Sequence, residues 1–464
     1  MSSTADTKIS PITQTLAAYI AAAPRKALPK AVTEKTKHHI LDTLAAMVSG
    51  SKLPPGKAAL AYAKTLGGTK EATVVGSRMQ STAVNAALAN AMMAHADETD
   101  DSHAPSMMHP GCAIVANALA FGERCRTSGT AMLRAVALGY DVGARLNISL
   151  GEATFRKVGH LTHCFGPTFG ATAAAAALSG FNARKVRYAL AYAAQQAGGL
   201  SSYARDTEHI EKAFDFGGMP ARNGATAVSM VAAGCTATDD ILFGERSFYA
   251  AYDESARTGR APDPSVLISD LGTRHEIMRT NIKRWTVGSP IQAPLHSLLT
   301  LIREHHIKAD DVEKLVVRVS ITGANTVGDR EMPDICMQHM CAVMLLDGIA
   351  TFESAHDLKR MKNAKVLAVR KRIELIGDEA LQKKLPQRQG IVEITLKDGR
   401  TVSHHTEAVR GTPDNPMTRA EVDEKCYHLM APVLGAKKSR TLCDTIWQLE
   451  KLTDARQLRP LVQC

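Results

Sequence analysis

Ile391-Val392-Glu393-Ile394-Thr395-Leu396, then Lys397-Asp398-Gly399-Arg400, then Thr401 to Thr406, is the stretch on which the fold turns. Apolar and polar residues alternate on both sides of an Asp-Gly pair, which is the pattern of a β-hairpin. Upstream, Leu315-Val316-Val317-Arg318-Val319-Ser320-Ile321 reads as a further strand that ends at Gly323. Helical stretches are expected between them at 337–347 and 356–370, and the pattern is helical again from Arg419 to the C-terminus.

Before residue 275 the texture is different. Ile40, Leu44, Met47 and Val48 mark one apolar helix face, stopped by Gly50. Ser81 stands as the N-cap of a helix running through Leu88 and Met92 to Ala94. Periodicity and alanine content predict further helices over 111–122, 130–147, 168–178, 183–197 and 222–233, with Gly180 closing one and Asn182 capping the next. The expected fold is mostly α. A large all-helical domain covers 1–274 and 409–464, and a smaller α+β domain covers 275–408.

Composition narrows the function classes. With 464 residues, 45% hydrophobic and 22% charged, the chain has the makeup of a folded two-domain protein and not of a disordered one. Aromatic residues are only 5%, so the core is built from Ala, Leu and Val, which suits closely packed helices. The net charge of +10 raises nucleic acid as a partner, but the cations are spread along the chain without a basic tail. A basic pocket for a small polyanion explains the same excess. Nine scattered cysteines without a C-x-x-C pair argue for reduced thiols, and the polar start at Met1 to Pro11 has no signal-type apolar core. The expectation is a cytoplasmic protein with no membrane and no nucleic-acid partner.

Four segments carry residues suited to chemistry. The densest is His95-Ala96-Asp97-Glu98-Thr99-Asp100-Asp101-Ser102-His103, followed by His109-Pro110-Gly111. Asp and His there suit a divalent metal, an acid–base pair tuned by neighbouring carboxylates, or plain helix capping with solvated acids. The spacing matches neither H-E-x-x-H nor a calcium loop. The second is Gly159-His160-Leu161-Thr162-His163-Cys164-Phe165-Gly166-Pro167, leading into a helix at Thr168. The third runs from Glu211-Lys212 through Gly217-Gly218 to Arg222, where a lysine and an arginine flank a glycine pair. The fourth is Asn281-Ile282-Lys283-Arg284-Trp285, near the change of texture.

In this order, and from about Ile12 to Gln457, these segments resemble the MmgE/PrpD family, which includes 2-methylcitrate dehydratases, cis-aconitate decarboxylases and iminodisuccinate epimerases. Gln338-His339 and Gly411-Thr412-Pro413-Asp414-Asn415-Pro416 look like further landmarks of that family. The resemblance implies a homodimer in which each chain has a helical domain and an α+β lid, and a reaction without metal or other cofactor. It implies a lyase acting on a small di- or tricarboxylate, with dehydration of the 2-methylcitrate type first, and decarboxylation or epimerisation as alternatives. A polycarboxylate-binding relative without turnover is the non-enzyme alternative. The catalytic residues it implies are His109, His160 and Lys212, with Tyr140 added for an epimerase. Glu98, Asp101, Ser102, His103, His163, Arg222 and Lys283 are then the substrate-binding residues, and no metal ligand is expected. Glu98 and Ser102 stand where the family usually has Asp and Thr, and Thr99 stands where it has an aromatic residue.

Overall fold

The computed structural model describes residues 9–464. The chain divides into two compact units. The first comprises the chain up to Ala96, Asp101–Thr280 and Arg419–Cys464; the second comprises Asp97–Asp100 and Asn281–Thr418. No helix among the described residues is long and apolar enough to cross a membrane.

The regular structure of the first unit is helical but for a two-residue antiparallel strand pair among its described residues, Ala72–Thr73 with Gln80–Ser81. Its centre is helix Thr162–Leu178, in which every residue is buried. A helix apolar on all sides must be enclosed by its neighbours. Helix Gly129–Ser149 lies against it with backbone touching backbone. A Cβ on Gly143 would stand 2.7 Å from the Gly166 carbonyl oxygen, and one on Gly166 would stand 2.6 Å from that of Gly143. The pair Gly139 and Gly170 repeats the arrangement at 2.9 and 2.5 Å. The spacing of four residues on each helix puts both glycines on one face.

The second unit is built on a four-stranded sheet in the order Ile373–Asp378, Val312–Ser320, Gly390–Leu396, Thr401–Thr406. The first pair is parallel and the other two are antiparallel. Val392, Ile394 and Leu396 point to one buried face and pack with Leu295, Leu298 and Met340 of helices Ser289–His305 and Met337–Asp347. The expected hairpin is present, with Ile394 opposite Val402 and Gly399 at a positive φ in the turn.

The architecture is the expected one, and several elements differ in detail. Thr82, not Ser81, caps helix Ala83–Ala94, accepting from the Asn85 N–H at 3.2 Å. Ser81 is held in the strand pair opposite Ala72. Helix Thr162–Leu178 begins six residues earlier than expected and carries Pro167 inside it. Of the expected 356–370 helix only Ala364–Arg370 forms the main part, because Asn363 caps it by accepting from Lys365 and Val366. Strand Ile373–Asp378 was not expected; its pairing with Val312–Ser320 is parallel and so leaves no local turn signal.

The glycine contact gives a direct test. Gly143→Ala and Gly166→Ala each drive a methyl into a carbonyl oxygen and should cost about 1–3 kcal/mol or more in urea unfolding. Gly198→Ala enters open space and should stay within about 0.5 kcal/mol of the parent.

Candidate active site

The acid–histidine loop is divided between two kinds of work. Asp101 is fully buried and accepts three hydrogen bonds: from the Tyr140 hydroxyl at 2.5 Å, from His39 Nδ1 at 2.7 Å and from the Gly111 N–H at 2.9 Å. The last of these caps the start of helix Pro110–Cys125, where a negative charge is favoured. Burial, with Asp101 pulling the other way, takes His39 down to about 4, so it is neutral and donates from Nδ1. Burial and the Asp101 charge push the Tyr140 phenol well up, so it keeps its proton. Gly111 is required here, since a Cβ would lie 2.6 Å from Thr43 Oγ1 and 2.8 Å from both Asp101 Oδ1 and the Tyr140 hydroxyl.

His103 is held in the same way. Its Nδ1 accepts from the Ser106 N–H at 3.2 Å, and its Nε2 faces Glu276 Oε2 at 3.2 Å. Burial works against the Glu276 charge, but His103, Arg279 and Arg274 outweigh it and hold the carboxyl at about 2. Ser102, between these two anchored residues, is half-buried.

The histidines gather elsewhere in the first unit, around Phe216. Phe216 belongs to a π-helical turn, Phe214–Gly218, a form often found at functional sites. The turn lies flat against helix Ala83–Ala94 because Gly217 has no side chain; a Cβ there would stand 2.3 Å from the Ala91 carbonyl oxygen. His95, the C-cap residue of that helix, stacks on the Phe216 ring at 4.6 Å between centroids. His163 stacks on Phe216 at 3.8 Å. His109 sits 4.9 Å from His95 and 5.2 Å from His163, and His209 sits 5.2 Å from His95. The Lys212 ammonium lies 5.2 Å from the Phe216 ring centre. The Cys112 thiol ties the pieces together, reaching the His109 and Phe216 carbonyls at 3.3 and 3.4 Å.

Three imidazoles and an ammonium around one aromatic ring, with a fourth imidazole against His95, gather proton-transfer groups and positive charge in one place. Such a group suits a small polyanion whose reaction builds charge beside a carboxylate. His109, His163 and Lys212 are among the residues singled out from the sequence, and they converge here. His95 belongs to the acid–histidine loop, and the sequence alone assigns it no separate role. His209 and Phe216 were not singled out, although two aromatic residues ahead of a glycine pair are a visible signal. Arg222 stands on helix Met219–Ala232, donating to Asn223 Oδ1 at 3.0 Å and lying over the Phe214 ring. His160 stands apart, its Nε2 hydrogen-bonded to Glu254 Oε1 at 2.7 Å.

In the second unit Lys283 is buried and spends its charge locally. It donates to the Glu98 backbone oxygen at 2.9 Å and to Glu98 Oε2 at 3.1 Å, with Asp100 at 3.8 Å. Burial disfavours its charge, and Glu98, Asp100 and Asp97 outweigh that and hold its pKa above the usual lysine value. His356 completes the clamp on this segment, its Nε2 3.0 Å from Asp97 Oδ2 and its Nδ1 2.6 Å from the Phe352 carbonyl oxygen.

Two measurements check these anchors. His356 is raised to about 9 by Asp97 against the cost of burial. Its contribution to stability is therefore complete below about pH 6.5, the unfolded value, and is lost as pH rises through about 9. The stability gap between the parent and His356→Gln should be on the order of 2 kcal/mol at pH 6 and close by pH 10. Tyr140→Phe removes a hydrogen bond to a buried carboxylate and should cost about 1.5–3 kcal/mol in the same urea experiment at pH 7.

Comparison with known proteins matches the chain in two stretches. Family models described as the MmgE/PrpD N-terminal domain and the MmgE/PrpD C-terminal domain match residues 14–260 and 285–451. Cis-aconitate decarboxylase of Aspergillus terreus (strain NIH 2624 / FGSC A1156) is 24% identical over 467 residues, covering 94% of this chain and 93% of its own. Cis-aconitate decarboxylase of Homo sapiens is 25% identical over 453 residues, covering 93% and 90%, and that of Mus musculus is 24% identical over 472 residues, covering 97% and 93%. Matched through both of its halves, the chain belongs to the MmgE/PrpD family.

Proposed function

We propose that the protein is a lyase acting on a small di- or tricarboxylate, and that it releases carbon dioxide from an unsaturated tricarboxylate of the cis-aconitate kind. The observation that carries this reading is the group of His95, His109, His163, His209 and Lys212 about Phe216. The relatives matched over nine-tenths of both chains carry decarboxylase names. This puts decarboxylation ahead of the dehydration that the resemblance ranked first.

The chemistry fits the groups present. The bond to the departing carboxylate breaks, and its electron pair forms a new double bond to the next carbon. The old π pair moves to the carbon beside a remaining carboxylate, which takes one proton. A trianion and a proton thus give a dianion and carbon dioxide. Negative charge grows beside a carboxylate during this step, and a fixed ammonium in a dry site stabilises it by several kcal/mol. Lys212 supplies that charge, and an imidazole of the cluster supplies the proton.

Incubation of the purified protein with cis-aconitate, citrate and 2-methylcitrate in D₂O, followed by proton NMR, tests the reading. Carbon dioxide loss with one deuterium entering the product is the expected result, unchanged by a chelator, although imidazoles are common metal ligands. Water loss alone would put dehydration in its place, and exchange without net reaction would put epimerisation there. Lys212→Ala should lower kcat about 100- to 1,000-fold, the cost typical of losing one placed donor.

A further inference from the structure

His160 and His163 lie three residues apart, and the structure gives them opposite surroundings. The His160 ring is stacked on Phe155 at 4.2 Å, with Phe165 and Tyr252 at 5.9 and 5.7 Å, and its Nε2 is bound to Glu254 Oε1 at 2.7 Å. Its backbone is pinned as well: it bridges to Leu200, and the Ser201 hydroxyl donates to its carbonyl oxygen. It has the fittings of an anchor for the segment that precedes helix Thr162–Leu178.

His163 is on the first turn of that helix. It is buried, faces Phe216 and His109, and its Nδ1 makes no hydrogen bond among the described residues. Pro167, four residues on, has no N–H to give to the His163 carbonyl, so the helix is locally loosened at this residue. The groups that act on its charge are His109, Arg156, His95 and Lys212.

The geometry points to His163, not His160, as the residue that delivers the proton in this protein. This inference rests on the lyase reading above and names the acid that reading leaves open. Burial and the cationic groups around it hold His163 well below the usual imidazole range, so it is neutral in the empty site. A trianionic substrate entering beside those cations offsets them, and His163 takes up one proton on binding. In the reaction that proton passes to the carbon next to a remaining carboxylate as carbon dioxide leaves, and His163 returns to its neutral form. Substrate, proton and products balance without a further reactant.

The test compares His163→Gln with His160→Gln. His163→Gln should lower kcat at least 100-fold with KM changed less than fivefold, and should remove the basic limb of the pH–rate profile, where the acid of the bound enzyme loses its proton. His160→Gln should lose at least tenfold less kcat and show its effect as a lower thermal midpoint, with a similar shift in Glu254→Gln. The reverse order of kcat losses, or equal losses, overturns the assignment. A parent protein that turns over none of the polycarboxylates removes the lyase reading instead. In that event ring-nitrogen NMR of the parent, titrated with cis-aconitate, still decides the point. Protonation of His163 with His160 unmoved supports the assignment, and movement of His160 or of neither ring overturns it.

Discussion

Two helices touching through glycine set the terms for the rest of the first unit. Gly139 and Gly143 on one helix meet Gly170 and Gly166 on the other with no room for a methyl group between them. Contact that close fixes both rotation and register, since a slide of one residue would bring side chains against backbone. Tyr140 lies between the two glycines of its helix and reaches Asp101. His163 stands three residues before Gly166 and reaches Phe216. The distance between anchor and cluster is therefore set by backbone, not by flexible side chains, which is how a site keeps close placement.

The loop that looks most chemical in the sequence turns out to be mixed. Asp101 and His103 spend their hydrogen-bonding capacity on His39, Tyr140, Gly111, Ser106 and Glu276. Glu98 is used by Lys283, and Asp97 by His356. A buried carboxylate without partners would be far costlier than one with three donors, so the acids of this loop are self-consistent as structure. The histidines at its two ends, His95 and His109, go to the Phe216 cluster instead. Composition alone could not separate these uses, because capping, ion pairing and acid–base work draw on the same residue types.

Much of the fold was legible because it is locally encoded. The Asp-Gly hairpin, the Asn182 cap and the alanine-rich helices each announce themselves within a few residues. The misread elements depend on distant partners. Strand Ile373–Asp378 exists through parallel pairing with a strand about sixty residues earlier, and the start of helix Thr162–Leu178 overrides a proline that normally ends a helix. The site shows the same division. His109 and Lys212 could be found through a family resemblance, whereas Phe216 and His209 matter only because a π turn lies against a helix more than a hundred residues away in the chain. No periodicity in the sequence marks a π turn; the Gly217-Gly218 pair is the nearest thing to a signal.

Why the cluster uses histidine and not more arginine follows from the cost of charge in a buried space. Several guanidinium groups packed together in an empty pocket would repel one another in every protein molecule, with no means of relief. An imidazole can drop its proton when the pocket is empty and regain it when carboxylates arrive. His163 is in that condition: burial above all, with the basic groups around it, holds it well below the usual imidazole range. Lys212 rests its ammonium over the face of Phe216, where a ring offers partial compensation. On the lyase reading proposed above, a polyanionic substrate entering the site returns protons to such imidazoles. On that reading a ligand with fewer carboxylates returns fewer protons, which ties selectivity for polycarboxylates to the same imidazoles.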